Sequence, residues 1–281
     1  YIIMFVDSSI QRIQGSVIPI GFILVLGIVV ITSTVLSSTA VPAINESREL
    51  QSHTEFREDV VIIPTTVTQV AATDVSRQLN VGKTVPYFLT SGSLVQHVSV
   101  IADQNYTISN AQTTDGSTFS VANNHSILQF SRDYNYVGKS QTFTIERSNI
   151  LSEQAGPLAG SENAILQNRL QLIDQRNISI ISLSSNMQVH ENPPTLISLS
   201  RVNRNSHTVT NSSNSLVTLT FPTRISETDW RDELSAELST NGGYISSITY
   251  TTQPDSVVNT VEIKLVQNEI YYLKTTTIDI R

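Results

Sequence analysis

The chain has 281 residues, with 17 Lys and Arg against 24 Asp and Glu and a formal net charge of −7. With no Lys/Arg-rich stripe to neutralise phosphates the composition argues against a nucleic-acid partner, and with no cysteine it excludes disulfides, thiol catalysis and Cys-based zinc sites. Roughly 235 residues lie beyond the first 45 or so, enough for one large or two small domains.

No charged residue occurs between Ile13 and Asn45, and Val17 to Leu36 is almost wholly apolar. About 20 residues, each rising about 1.5 Å, cross the roughly 30 Å hydrocarbon core of a bilayer, so this run predicts a membrane-spanning helix in contact with lipid. A secretory signal peptide has an apolar core of about 7–15 residues, shorter than this one; a buried helix of a globular core is the remaining reading. Arg12 precedes the span and Arg48 follows it, so the count of nearby basic residues is close to a tie. A short segment before the span staying inside, with the large C-terminal part exported, gives a cell-surface location. Within the helix Ser33 with Ser37, and Thr34 with Ser38, are small residues four apart. That spacing lets helices approach closely and predicts self-association.

The segment Arg12-Ile13-Gln14-Gly15-Ser16-Val17-Ile18-Pro19-Ile20-Gly21-Phe22 resembles an archaeal class III (prepilin) signal, and is similar to the pattern of haloarchaeal type IV pilin-like surface proteins. In that pattern a basic residue and Gly precede a Ser-Pro-Val-Ile-Gly run. Here Gln14 stands directly before Gly15, and Pro19 lies one residue closer to Gly21. The resemblance implies a leader over 1–15, cleavage between Gly15 and Ser16, and a retained helix that inserts and assembles. An uncleaved single-span anchor uses the same apolar helix.

Past a kink at Pro42 the helix is expected to continue through Glu46 and Leu50 to about Val61, where Pro64 stops or kinks it. Residues 16–72 thus read as span and stalk, with β-branched Thr65 to Val70 a poor helix. From 73 to 281 the pattern changes to short segments rich in Val, Ile, Thr and Tyr, separated by turn residues. These are Val75–Leu79, Leu94–Val100, Phe143–Glu146, Ile178–Leu183, Leu196–Val202, Leu216–Phe221, Ile245–Thr251, Val261–Val266 and Tyr271–Ile280. Val261-Glu262-Ile263-Lys264-Leu265 alternates most clearly. Asp115-Gly116 and Asn241-Gly242 mark tight turns. A sandwich-like β domain follows, in one or two units with a break near 151–165.

One helix interrupts the strands. Ser226 caps it, acids fill its first turn, and Trp230, Leu234 and Leu238 fall four apart on one face before Asn241-Gly242 ends it. That stripe anchors the helix on a sheet; a carbohydrate-stacking role for Trp230 is the competing reading. Phe221-Pro222-Thr223-Arg224-Ile225-Ser226 followed by Trp230, together with Asp133-Tyr134-Asn135 and the Tyr272-Leu273 strand, is similar to motifs of uncharacterised haloarchaeal pilin-like surface proteins, and implies no known chemistry.

Five sequons, at Asn45, Asn105, Asn124, Asn177 and Asn211, are as many as chance supplies in a chain this rich in Asn, Ser and Thr, and are candidate glycosylation sites only. The five His, at 53, 97, 125, 190 and 207, show no metal-ligand spacing and read as surface or turn residues. Asp103, Asp115 and Asp133 read as solvated turn acids. No serine elbow, phosphate loop or calcium loop occurs, so no catalytic residue, metal ligand or cofactor is assigned. The expectation is a membrane-inserted, pilin-like structural or adhesive subunit with an unidentified surface ligand. A non-polymerising single-span envelope protein is the alternative, and an anchored hydrolase the third class.

Overall fold

The structure is a computed structural model. It describes residues 7–88, 94–138, 140–147, 149–155, 163–167, 172–191, 194–212, 215–238, 243–253, 256 and 258–281. Side chains before Gly21 and between 151 and 171 lie outside the description, as do the break expected near 151–165 and the Asn241-Gly242 turn. The processing site Gly15-Ser16 falls in a helical backbone whose side chains are likewise not described.

An N-terminal helix is followed by a mostly β domain with one short helix. The helix has two α segments, α1 (Asp7–Val35) and α2 (Val41–Thr73), joined by a π turn over Leu36–Ala40. From Gly21 to Thr73 it counts 53 residues without a break, with an apolar stretch of mean hydropathy 2.2 that is 0% buried. Pro42 explains the π turn. Its ring would crowd the carbonyl four residues back, and the chain widens instead, with Val41 N–H donating to Leu36 O.

Pro64, expected to stop or kink the helix, does not stop it. It sits inside α2, and the turns around it are braced by Thr66 Oγ1 donating to Ile62 O (3.0 Å) and Thr68 Oγ1 to Pro64 O (3.0 Å). Packing holds it there: Phe56, Val60, Ile63, Val67 and Val70, three or four apart, are all fully buried against the β domain. The stretch expected as a stalk is therefore docked. The buried stripe starts at Val41 and passes through Asn45, Glu49 and Ser52 before turning apolar.

The strands, in chain order, are β1 (Arg77–Val81), β2 (Val95–Thr113), β3 (Thr118–Asp133), β4 (Ser140–Glu146), β5 (Asn149–Ala155), β6 (Asn163–Gln167), β7 (Ile173–Asp174), β8 (Asn177–Ser184), β9 (Gln188–Glu191), β10 (Thr195–Asn211), β11 (Thr218–Thr223), β12 (Ile245–Thr251), β13 (Asn259–Leu265) and β14 (Ile270–Ile280). They form one connected sheet with the main order β6-β5-β4-β3-β2-β10-β14-β8-β7. Off that path β11, β12 and β13 join through β2, and β1 pairs with β10. Neighbours are antiparallel except β14 with β8, which run parallel. Gly116 at φ +85 makes the β2–β3 turn, and Asp115 Oδ1 accepts from Ser117 N (3.0 Å).

The long strands serve two cores on opposite faces of this sheet. In β14, Tyr271 and Leu273 enter one cluster while Ile278 and Ile280 enter the other; the two pairs differ in parity, so they point to opposite faces. The same switch separates Ile178 and Ile180 from Leu183 in β8, and Phe119 and Val121 from Leu128 and Phe130 in β3. Where the switch falls, consecutive residues are buried, as at Ser182-Leu183 and Thr275-Thr276. In β2 and β10 an extra residue does the work instead: the register slips between Val100 and Ala102 and between Arg201 and Asn203. One core receives α2, and the other receives the short helix α3 (Glu227–Glu233).

Candidate functional site

Three places bear on function: the exposed span, a polar clamp where α2 enters the domain, and a buried charged cluster under α3.

Along the span Ser33, Thr34, Ser37 and Ser38 are all exposed. Thr34 Oγ1 donates to Val30 O (2.8 Å), Ser37 Oγ to Ser33 O, and Ser38 Oγ to Val35 O (3.4 Å). The hydroxyls of Thr34, Ser37 and Ser38 thus satisfy themselves on their own helix, which suits an apolar surround. Ser37 and Ser38 lie within the π turn, which offsets them from the stripe that Ser33 and Thr34 begin.

The clamp is built on Glu49, fully buried on α2. Its Oε1 accepts from Tyr87 Oη (2.6 Å) and Asn135 N (2.8 Å), and its Oε2 from the amides of Tyr136 (2.7 Å) and Val137 (2.8 Å). Burial and the adjoining Glu49 carboxylate push the Tyr87 phenol up from its ordinary value. One turn away, Asn45 accepts from Phe88 N (2.7 Å), and Arg48 donates to Pro86 O (2.7 Å) with its guanidinium 5.8 Å from the Phe88 ring. Next along the helix, Ser52 Oγ accepts from the buried Arg132 (2.6 Å), which also donates to Gln96 Oε1 (3.1 Å) and lies over the Phe56 ring. Gly82, at φ +76, fits only without a side chain, because a Cβ there would meet Arg132 and Gln96. Two loops, 82–88 and 134–138, are thereby strapped to α2.

The third place is the β4–β5 turn, whose tip points into the core. Glu146 Oε2 accepts from Arg224 N (2.8 Å) and Thr223 Oγ1 (3.2 Å), and its Oε1 lies 3.3 Å from Arg147 Nη2. Arg147, at φ +57, lays its guanidinium 4.1 Å from the Phe221 centroid and 5.1 Å from that of Trp230. Burial pushes Glu146 up and Arg147 down, each opposed by the other's charge. Trp230 is fully buried, donates from Nε1 to Thr223 Oγ1 (2.9 Å), and stacks on Phe221 at 13°. Leu234 is buried beside it, and the half-buried Leu238 packs on the same cluster with Val261, Ile263 and Leu265. The cap is as expected from the sequence, Ser226 Oγ accepting from Asp229 N (3.2 Å), but α3 is shorter, passing into a 3-10 turn at Ser235–Glu237.

His125 departs from its reading as a surface or turn residue: it is buried at the face switch of β3, its Nδ1 accepting from Leu183 N (3.3 Å). Burial, with Arg147 adding to it, holds its pKa well below 6.5. The folded chain therefore keeps His125 neutral while the unfolded chain protonates it as pH drops through 6.5. Stability should fall on acidification by about 1.4 kcal/mol per pH unit from this group until its folded pKa is reached. Glu146, raised, acts with the opposite sign above its ordinary 4.5, since the folded chain takes up a proton there before the unfolded one does. Denaturant unfolding at pH 7 and pH 5.5 should thus show a loss in the parent that shrinks in His125→Asn, whose amide oxygen can take the Leu183 bond. An identical loss in both would remove His125 from the account.

Of the sequon residues, Asn105, Asn124 and Asn177 are exposed. Asn45 is fully buried in the clamp, and Asn211 is held by Val217 N donating to its Oδ1 (3.0 Å) and by its own Nδ2 donating to Val266 O (2.9 Å). Neither of those two amides is open to a glycan in the folded chain. Asp133 lies 3.7 Å from His97, and Asp115 sits in its turn. Among the described residues no group of three His, Asp or Glu could hold a metal ion. Compared with known proteins, the chain matches no protein-family model, no curated protein and no solved structure.

Proposed function

We propose that the chain is a pilin-like structural subunit of an archaeal cell surface, inserted through its N-terminal helix and presenting the β domain outside. One observation carries this reading: a single helix is exposed and apolar from Gly21 to about Ala40, then docks along the β domain over its remaining length. The first half suits a bilayer or the helical centre of a filament, and the second fixes the domain rigidly to it. Membrane insertion or export follows from the helix alone; the assembling role and the archaeal setting rest on the resemblance of residues 12–22. No reaction is assigned to the chain.

The test is recovery from the native host. The protein should remain in the membrane fraction after alkaline washing, should begin at Ser16, and should appear in filaments sheared from cells. Ser37→Leu should lower filament yield while leaving membrane retention unchanged, because a bulky side chain keeps helices apart without harming insertion. Full membrane retention of an intact leader, with no filaments, would favour the single-span anchor. Equal filament yield from Ser37→Leu would clear this face of any part in assembly.

A further inference from the structure

The sheet face that receives α2 extends past the end of that helix. In β14, Tyr272 and Lys274 share the parity of Ile278 and Ile280, so they stand on the α2 side. The helix ends at Thr73, where the carbonyls of Ala71 and Ala72 accept from Arg201 (3.4 Å) and Arg204 (3.5 Å). Arg204 stands opposite Thr276, so Lys274 is the next residue of this face outward. Beyond that point the strands β8, β14 and β10 carry two rows of side chains. Asn177, Tyr272 and Thr208 form one, and Ser179, Lys274 and Ser206 the other. All six line a groove of about 420 Å³, within the range of small-molecule sites, roughly 300–1,000 Å³.

The chemistry of the six side chains selects the ligand. Tyr272 is 55% exposed and offers a flat apolar ring on which the C–H face of a sugar can lie. Among the described residues none of the six side chains is taken up by a hydrogen bond or an ion pair. Three hydroxyls, an amide and an ammonium therefore stand together as donors and acceptors for a polyhydroxylated partner. Charge favours an acidic one. Lys274 is half-buried, and burial together with the nearby Arg204 and Arg201 pushes its pKa down from the ordinary lysine value. Asp74 pairs with Arg201 (2.6 Å), which leaves Arg204 and Lys274 as cations without a carboxylate partner among the described residues. Asp174, opposite Asn177 in β7, belongs to the other row and lies two strands from Tyr272. A ligand carboxylate at Lys274 would offset the repulsion and gain a charge-assisted hydrogen bond. We propose that this groove binds an acidic saccharide, with a sugar ring over Tyr272 and a uronate carboxylate at Lys274. The inference is independent of how the N-terminal helix is used.

Calorimetric titration of the full chain, in a detergent without sugar groups, tests this with tetragalacturonate, maltotetraose and tetraglutamate as probes. Tetragalacturonate should bind saturably, and the other two at least about tenfold more weakly. Tyr272→Ala and Lys274→Gln should each weaken tetragalacturonate binding by about tenfold or more, the loss expected for one stacking or charge-assisted contact. If Lys274→Gln does not fold by far-UV signal, Ser206→Glu takes its place, since Ser206 is exposed opposite Lys274 and the new carboxylate would engage the ammonium and repel the ligand. No binding of tetragalacturonate, or binding that either substitution leaves unchanged, would overturn the site. Equal binding of tetraglutamate would mean that the groove takes an acidic peptide, and equal binding of maltotetraose a neutral glycan; either would overturn the assignment to an acidic saccharide.

Discussion

Replacing Glu49 by alanine is expected to destabilise the full chain by about 3–5 kcal/mol, because the buried donors that it serves are left unpaired. The side chain is fully buried and gathers the Tyr87 hydroxyl and the amides of Asn135, Tyr136 and Val137. Without it those donors stay desolvated and unmet, at about 1–3 kcal/mol each before the loops relax. Glu49→Gln should be nearly as harmful: its carbonyl can serve one side, but its NH2 then faces amides that are themselves donors. The measurement is denaturant unfolding of the full chain in detergent, followed by far-UV signal, with limited proteolysis to show whether loops 82–88 and 134–138 open first. A loss below about 1 kcal/mol for Glu49→Ala would mean that the clamp is not what holds the loops.

Trp230→Ala should cost about 3–5 kcal/mol, the usual range for emptying a large aromatic site. The indole is fully buried, and its removal also takes one of the donors from Thr223 Oγ1 and uncovers one side of the Arg147 guanidinium. Trp230→Phe should recover much of the loss, because it keeps the stack on Phe221 and gives up only the Nε1 bond. The comparison needs the full chain: a piece begun at residue 73 would lack Phe56, Val60, Ile63, Val67 and Val70 and leave one core open. Wild-type stability in Trp230→Ala together with lost binding to a surface polysaccharide would instead make the tryptophan a binding platform.

The fold class was legible because its signals are local. A charge gap of bilayer length, the alternation in Val261–Leu265 and the Ser226 cap each announce an element from an unbroken run of neighbouring residues. The docking of α2 was hidden because Asn45, Glu49 and Ser52 lie on its buried stripe, so hydropathy rates that face as solvated. Their partners are 38 to 88 residues away in sequence. Pro64 and the β-branched run after it argued against a helix, and tertiary burial overrode them. The two-faced sheet was obscured by its own construction: an alternation that changes phase in mid-strand reads as two short strands or none. Hence β2 and β10 run far past the expected Leu94–Val100 and Leu196–Val202, and β3 has no counterpart among the expected segments. Asp133-Tyr134-Asn135 stood out in the sequence without a role; in the structure its Asn135 amide donates to Glu49. The charged cluster gave no signal beyond an adjacent Glu-Arg pair, since burial of a turn tip depends on what folds over it.

Because α2 lies lengthwise on the sheet, the joint between anchor and domain is loaded in a particular direction. Tension drawn along the helix from its N-terminal end acts parallel to a seam about 38 Å long. Every contact from Asn45 to Val70 then shears together, rather than parting one after another as in a peeled hairpin. Rupture would require the polar clamp and the apolar stripe to slip in concert. The attachment thus has the mechanics of a lap joint, strongest against pull along its own axis and weakest against a sideways lift at residue 73.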